Sequence, residues 1–325
     1  MELSKRPKLY GVYYTKKDEK ITIVSPSKEF ILEGKSVESV YQLLGYFDGQ
    51  ASIEEICTKS GLTPEFICEV IALLENKGLV KTINTPIETR FIENEFENLV
   101  NFLFNFVDTY EEAINEAQYI TSNTIYIVGD NELSEKIYKS FEPIFKVKII
   151  DDIESLNGDF GKRDLITVVD TFDNFELFSK VNQFSLKNQI KFIRVVLNNE
   201  YIEIGPLFIP WETACYTCYS SRVFSNISNP HILKTYSQLK AKGNKDKMSS
   251  YFPGSIDILI SQLKIQCIKF FSSIFKSDVL QNEISQNILT CQMTYSPVLK
   301  LPNCSSCGTP FADQANNPTE KGIKI

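Results

Sequence analysis

Between residues 9 and 34 the chain alternates apolar and polar positions in three short runs, LYGVYYT, KITIVS and KEFILEG, separated by charged or Ser/Pro turns. That two-residue period predicts three strands. From residue 36 the spacing becomes helical. In SVESVYQLLGYFDG, Val40, Leu43, Leu44 and Phe47 share one face. SIEEICTKSG opens on a Ser cap with Glu three residues on, and TPEFICEVIALLENKG starts at Thr63 and Pro64 and stops at Gly78. LVKTI then returns as a strand. Three strands, three helices and a closing strand predict a small winged-helix-type domain over residues 1–85.

Residues 92–118 carry two series spaced by seven, Phe96, Leu103, Tyr110, Ala117 and Val100, Val107, Ile114, which predict one long amphipathic helix. It either packs on its own chain or forms the seam of a homodimer. We place it in a linker, residues 86–121, ahead of a second domain, residues 122–325. There the pattern alternates: strand NTIYIVGD, helix NELSEKIYKSFEPI, strand FKVKIID, strand DLITVVD, helix NFELFSKVNQFSLK and strand IKFIRVVL. Such alternation predicts a Rossmann-like α/β domain with a largely parallel sheet. Residues 224–253, with Lys240, Lys242, Lys245 and Lys247, read as a solvated loop, and SIDILISQLKIQCIKFFSSIF as a helix whose apolar stripe includes Cys267.

At 325 residues and 43% hydrophobic, the chain is long enough for two domains, each with a core. A net charge of −7 argues against a nucleic-acid surface, which needs clustered Lys and Arg, and suits a neutral or basic peptide. The start lacks an apolar signal region, and no stretch approaches the roughly 18 apolar residues of a membrane span, so a cytoplasmic protein without membrane contact is expected. In that reducing compartment the eight cysteines point to metal or redox chemistry rather than disulfides.

Cys215 and Cys218 are three apart, as are Cys304 and Cys307. A two-residue gap lets both thiolates of a pair reach one tetrahedral Zn²⁺, and two pairs close a Cys₄ site with no open position, so the expected zinc is structural. A redox pair would open a helix after the first strand of its domain, and neither pair is expected to. Cys57, Cys68 and Cys291 have no partner spacing and read as small hydrophobes.

The turn after the first strand of the second domain, Gly129-Asp130-Asn131-Glu132-Leu133-Ser134, keeps only one of the glycines that let backbone amides approach a phosphate. Asp130 and Glu132 would repel phosphate there. Asp151 or Asp152 stands about where a ribose-binding acid would. The chain's single histidine, His231 in NPHILKT, reads as a loop or cap residue, and no Ser-His-Asp set can be argued from it.

The stretch Asp164 to Arg222, with Asp170, Asp173 and Asn174, then IGPLFIPWETACYTC, and finally PNCSSCG, resembles the E1/ThiF-type superfamily. More narrowly it resembles the ThiF-like proteins that partner YcaO cyclodehydratases in making thiazole- and oxazole-containing peptides, such as bacteriocins and thiopeptides. Residues 9–84, including QLLGYFDGQASIEEI and LLENKGLV, resemble that family's precursor-peptide recognition element. The resemblance implies a non-catalytic scaffold that binds the leader of a precursor peptide and presents the peptide to the YcaO enzyme, with a flavin-dependent azoline dehydrogenase as a further partner. The alternative is an E1-like adenylating enzyme acting on a peptide or carrier C-terminus, from which this chain departs at the glycine loop.

Helix 63–77 has a broad apolar arc: Ile67, Ile71 and Leu74 should pack inward, leaving Phe66, Val70 and Leu73 as a second stripe. Strand 28–34 is expected at a sheet edge, where an extended leader could add by main-chain hydrogen bonds. The expected groove is therefore Phe30, Ile31, Leu32, Phe66, Val70 and Leu73, with Glu69 and Lys77 at its rim; all could equally be ordinary core. A DNA-binding reading is opposed by Glu65, Glu69 and Glu75 on the same helix, against Lys77 alone.

Overall fold

The structure, a computed structural model, describes residues 2–9, 12–24, 29–84, 95–156, 160–226, 231, 235 and 251–308. The chain divides into two compact units, Met1–Ala117 and Gln118–Ile325.

In the first unit β1 (Arg6–Leu9) is followed by β2 (Tyr13–Lys17), β3 (Lys20–Val24) and β4 (Glu29–Glu33). Four strands thus precede the helices where three were expected. The run beginning at Leu9 is broken, because β1 pairs antiparallel with β5 (Val80–Ile83) while β2, β3 and β4 form a separate antiparallel sheet in that order. The helices fall where their caps stand. In α1 (Val37–Leu44) Leu43 and Leu44 are buried; α2 (Ile53–Ser60) starts on a full capping box between Ser52 and Glu55; and Thr63 caps α3 (Pro64–Glu75). One core gathers Ile21 and Ile23 of β3 with Leu43, Ile56, Ile67, Ile71 and Leu74.

The long helix expected over residues 92–118 is two helices, α4 (Glu95–Leu103) and α5 (Tyr110–Thr121); its first residues, 92–94, lie outside the described ones. Thr109 restarts the helix. Its hydroxyl accepts from Glu112 N–H at 3.2 Å, while the Glu112 carboxylate accepts from Asp108 N–H at 3.2 Å. Nor is α4 a linker: Lys81 Nζ, at the closing strand, donates to the Phe104 and Val107 carbonyls, and Leu103 and Phe104 are buried.

The second unit is built on a seven-stranded mixed sheet of order β12-β11-β10-β9-β8-β6-β7. Its parallel half contains β6 (Thr124–Gly129), β7 (Lys146–Ile150), β8 (Leu165–Asp170) and β9 (Lys191–Leu197), interleaved with α6 (Asn131–Phe141) and α7 (Phe175–Asn188). The rest was not anticipated. β10 (Tyr201–Phe208), β11 (Asn282–Asn287) and β12 (Met293–Pro297) are added antiparallel, so the sheet is parallel on one side only. β10 bends at a register shift between Ile204 and Leu207, where Gly205 has φ +91° and a Cβ would lie 2.6 Å from the Asn282 carbonyl oxygen. The bend delivers the chain to the first cysteine pair, which opens α8 (Tyr216–Asn226). That helix includes the start of the stretch read as a loop; Lys240, Lys242, Lys245 and Lys247 lie outside the described residues. The last helix, α9 (Ser255–Phe271), buries Cys267 as expected. Among the described residues no helix is long and apolar enough to cross a membrane.

Candidate metal centre and peptide surfaces

The bend in β10 and the turn of α8 bring Cys215 and Cys218 onto the loop that carries Cys304 and Cys307. Cys215 Sγ is 3.9 Å from Cys218 Sγ and 3.6 Å from Cys304 Sγ, and Cys218 Sγ is 3.5 Å from Cys307 Sγ. All four sulfurs lie within 4.8 Å of one another and all four residues are buried. Sulfurs about 2.3 Å from one tetrahedral ion would be about 3.8 Å apart, whereas a disulfide needs about 2.05 Å. The cluster therefore suits a metal ion, not a pair of disulfides. The second layer agrees: Leu301 N–H donates to Cys218 Sγ at 3.3 Å, and Thr217 and Ser306 hydroxyls, one from each pair, meet at 2.7 Å. Hydrogen bonding from the Cys215 thiol brings Cys218 down to about 4 despite its burial. With four ligands and no vacant position, such a site can staple the C-terminal loop to α8 but cannot activate water.

At the parallel half of the sheet the phosphate loop is filled by the chain itself. Gly129 has φ +131°, and a Cβ there would lie 1.9 Å from the Val169 carbonyl oxygen, so glycine is kept for the close approach of β6 and β8. Asp130 is the N-cap of α6: its carboxylate accepts from Leu133 N–H at 3.1 Å, occupying the helix terminus a phosphate would use. Glu132 pairs with Lys136 at 2.8 Å. Asp151 and Asp152 are exposed, and Asp152 caps a short 3₁₀ turn through Glu154 N–H at 3.1 Å. Asp170 is buried and accepts from Thr171 N–H at 2.7 Å and Asn174 Nδ2 at 3.0 Å, while Asn174 caps α7 through Leu177 N–H at 3.2 Å. His231 is exposed.

Sequence reasoning missed the most charged part of this unit. Arg194, in the middle of the apolar strand β9, is fully buried and meets Asp173 at 2.7 Å, Glu203 at 2.6 Å and Glu283 at 3.1 Å. Tyr219 of α8 donates to Glu283 at 2.6 Å and lies under the guanidinium, 5.0 Å from ring centre to Cζ. Burial would lower the Arg194 pKa, but Asp173, Tyr219, Glu203 and Glu283 raise it well above its ordinary value. Burial also pushes the Glu283 carboxyl up, against the pull of Arg194. One arginine inside a run of Val, Ile and Phe was the available signal.

In the first unit β4 is an edge strand, as expected. Phe30 and Leu32 are half-buried against the unit's core, as is Phe66 of α3. Ile31 points to the other face and is 55% exposed; Leu73 is 47% exposed, and Glu69 and Lys77 are exposed. Val70 is a correction. It is buried in the core, because the inward stripe of α3 is Ile67, Val70, Ile71 and Leu74, the three- and four-residue steps of one helix face.

The mixed α/β fold is similar to that of two proteins of known structure. The heterocyclase TruD superimposes with a TM-score of 0.65 at 14% identity, covering 94% of this chain and 43% of its own. E. coli MccB, a microcin C7 biosynthetic enzyme solved with ATP and with N-formylated MccA, superimposes with a TM-score of 0.52 at 13% identity, covering 94% of this chain and 97% of MccB. The chain thus spans less than half the length of the heterocyclase and almost all of MccB. No protein-family model matches it. In sequence it is 24% identical, over 158 residues, to an uncharacterised HTH-type transcriptional regulator of Pyrococcus furiosus, covering 49% of this chain and 86% of the regulator. At such identities the likeness to the two enzymes establishes a shared mixed α/β fold.

Proposed function

We propose that the protein is a scaffold that binds the leader of a ribosomal precursor peptide and presents the peptide to a YcaO cyclodehydratase for azoline and thiazole formation. The observation that carries this reading is the β4 edge in the first unit, which among the described residues pairs on one side only, with Phe30, Leu32 and Phe66 only half-covered and Leu73 exposed. An extended leader would add to β4 through main-chain hydrogen bonds and seat apolar side chains against Phe66 and Leu73, with Glu69 and Lys77 selecting charge at the rim. The fold shared with TruD and MccB supports a role in peptide modification. Cys215, Cys218, Cys304 and Cys307 would hold a structural Zn²⁺, and a flavin-dependent azoline dehydrogenase would act downstream.

A catalytic reading has its own support in the fold shared with MccB, which has been solved with ATP. Against it stands the Asp130 carboxylate at the α6 terminus. The two separate in one experiment. Labelled leader retained by the full chain, without ATP–pyrophosphate exchange, supports the scaffold. Exchange that depends on the peptide would replace it with adenylation. Retarded DNA would favour a regulator, a result the exposed Glu65 and Glu69 of α3 disfavour.

A further inference from the structure

The two cysteine pairs are built alike. Each has a hydroxyl residue immediately before its second cysteine, in Cys215-Tyr216-Thr217-Cys218 and in Cys304-Ser305-Ser306-Cys307. The fold sets these two positions face to face. Thr217 Oγ1 and Ser306 Oγ are 2.7 Å apart, and the sulfurs of the next residues, Cys218 and Cys307, are 3.5 Å apart.

Asn182 of α7 decides which way the hydroxyl bond runs. It is buried, and its Oδ1 accepts from Tyr216 N–H, in the first turn of α8, at 2.9 Å. The first N–H groups of a helix have no partner inside the helix, so Tyr216 N–H needs an acceptor there and fixes the orientation of the amide. Asn182 Nδ2 is thereby turned to Thr217 Oγ1, to which it donates at 3.4 Å. A hydroxyl oxygen that accepts from Asn182 is best satisfied by giving its own proton to Ser306. The result is a directed chain, Asn182 to Thr217 to Ser306, that runs from α7 into the loop carrying the second cysteine pair.

Its position matters because the halves of the site are distant in sequence. Cys215 and Cys304 are 89 residues apart, and two such segments must dock before one ion can take all four sulfurs. The loop is tied to the α8 side by Arg222 Nε on the Leu299 carbonyl at 3.0 Å, by Lys300 Nζ on the Trp211 carbonyl at 2.9 Å and by Leu301 N–H on Cys218 Sγ at 3.3 Å. All three ties act before Cys304. The Thr217–Ser306 bond acts inside the second pair, holds Cys307 opposite Cys218, and needs no metal to form.

We propose, on the reading of the four cysteines as a zinc site, that Thr217 and Ser306 are positioning residues for the metal: a hydroxyl latch, oriented by Asn182, that sets the two pairs in register and strengthens retention of the ion. Outer hydrogen bonds of this kind change metal affinity by about 10–100-fold, and a single neutral bond belongs at the lower end of that range.

The test uses the full chain, titrated with Zn²⁺ against a chromophoric chelator and separately with Co²⁺, whose thiolate charge-transfer bands report sulfur ligation. Thr217→Val keeps the shape of the side chain without its hydroxyl and should weaken Zn²⁺ binding about tenfold. Thr217→Ser keeps the hydroxyl and should bind as the parent does. Ser306→Ala, in the loop rather than in α8, should match Thr217→Val, and the double variant should be no weaker than either single one, because all three lack the same bond. Saturating Co²⁺ should give every variant the parent's bands, since the four cysteines remain. Zn²⁺ affinity within about twofold of the parent in Thr217→Val and Ser306→Ala overturns the proposal. So does a Thr217→Ser variant as weak as Thr217→Val, which assigns the effect to packing, and so do losses that add in the double variant, which make the two hydroxyls independent. A parent chain that takes up neither Zn²⁺ nor Co²⁺ overturns the metal site and the latch together, whereas a metal-binding parent with unaffected variants overturns the latch alone.

Discussion

Replacing Arg194 by Met tests the electrostatics of the second unit. The guanidinium is fully buried and pairs with Asp173, Glu203 and Glu283 at 2.6 to 3.1 Å. Removing it leaves three mostly buried carboxylates facing one another, and breaking a buried pair in this way costs about 3–5 kcal/mol. For a unit of this size that is a fall of about 6–20 °C in melting temperature. The loss should depend on pH. Burial already raises the Glu283 pKa above its ordinary 4.5, so its contribution to stability is present in acid and is lost as pH rises through the folded value. Without Arg194 only the Tyr219 hydrogen bond opposes that rise, and the window extends further upward. The gap between parent and variant should therefore be widest near neutral pH and narrow as pH falls toward about 5. Adding Glu203→Gln and Glu283→Gln should recover much of the loss, since the repelling charges are gone. Melting curves followed through Trp211, the chain's single tryptophan, read the second unit directly. A drop of less than about 2 °C, or a gap equal at both pH values, would refute the reasoning.

Three further outcomes follow from the same geometry. Purified protein should contain about one zinc per chain, and the double variant Cys304→Ser, Cys307→Ser should lose both the metal and the cooperative unfolding of the second unit; full metal retention would sink the ligand assignment. Val70→Ala should cost about 1–3 kcal/mol of stability as a core truncation, whereas Leu73→Ala should leave the melting temperature nearly unchanged and weaken leader binding by about 1–3 kcal/mol. Gly129→Ala should destabilise by more than about 1–3 kcal/mol, the strain of its backbone conformation alone, because the added Cβ also meets Val169; a normal melting temperature would show that β6 and β8 can separate at no cost.

What the chain alone determines is what adjacent residues decide together. The caps at Ser52 and Thr63, the periods of α1 to α3, and the alternation through β6, α6, β8, α7 and β9 are local, and they stand where the pattern put them. The cysteine pairs were legible because two ligands three residues apart have few other uses, and four sulfurs complete one tetrahedron. The break between α4 and α5 was legible too, in Thr109 and Glu112, but the seven-residue repeat masked it. Tertiary structure decided the rest. The place of Val70 depends on how α3 is rotated against the core, and a helix with a broad apolar arc permits more than one rotation. The pairing of β1 with β5 and the antiparallel strands β10 to β12 join segments far apart in the chain, and strand pairing over such separations leaves no local period. Arg194 shows this most sharply. In β9 it interrupts an apolar run, and only when the sheet brings Glu203 and Glu283 beside it does its burial become tolerable, because a charge leaves water only where opposite charges replace the water it loses.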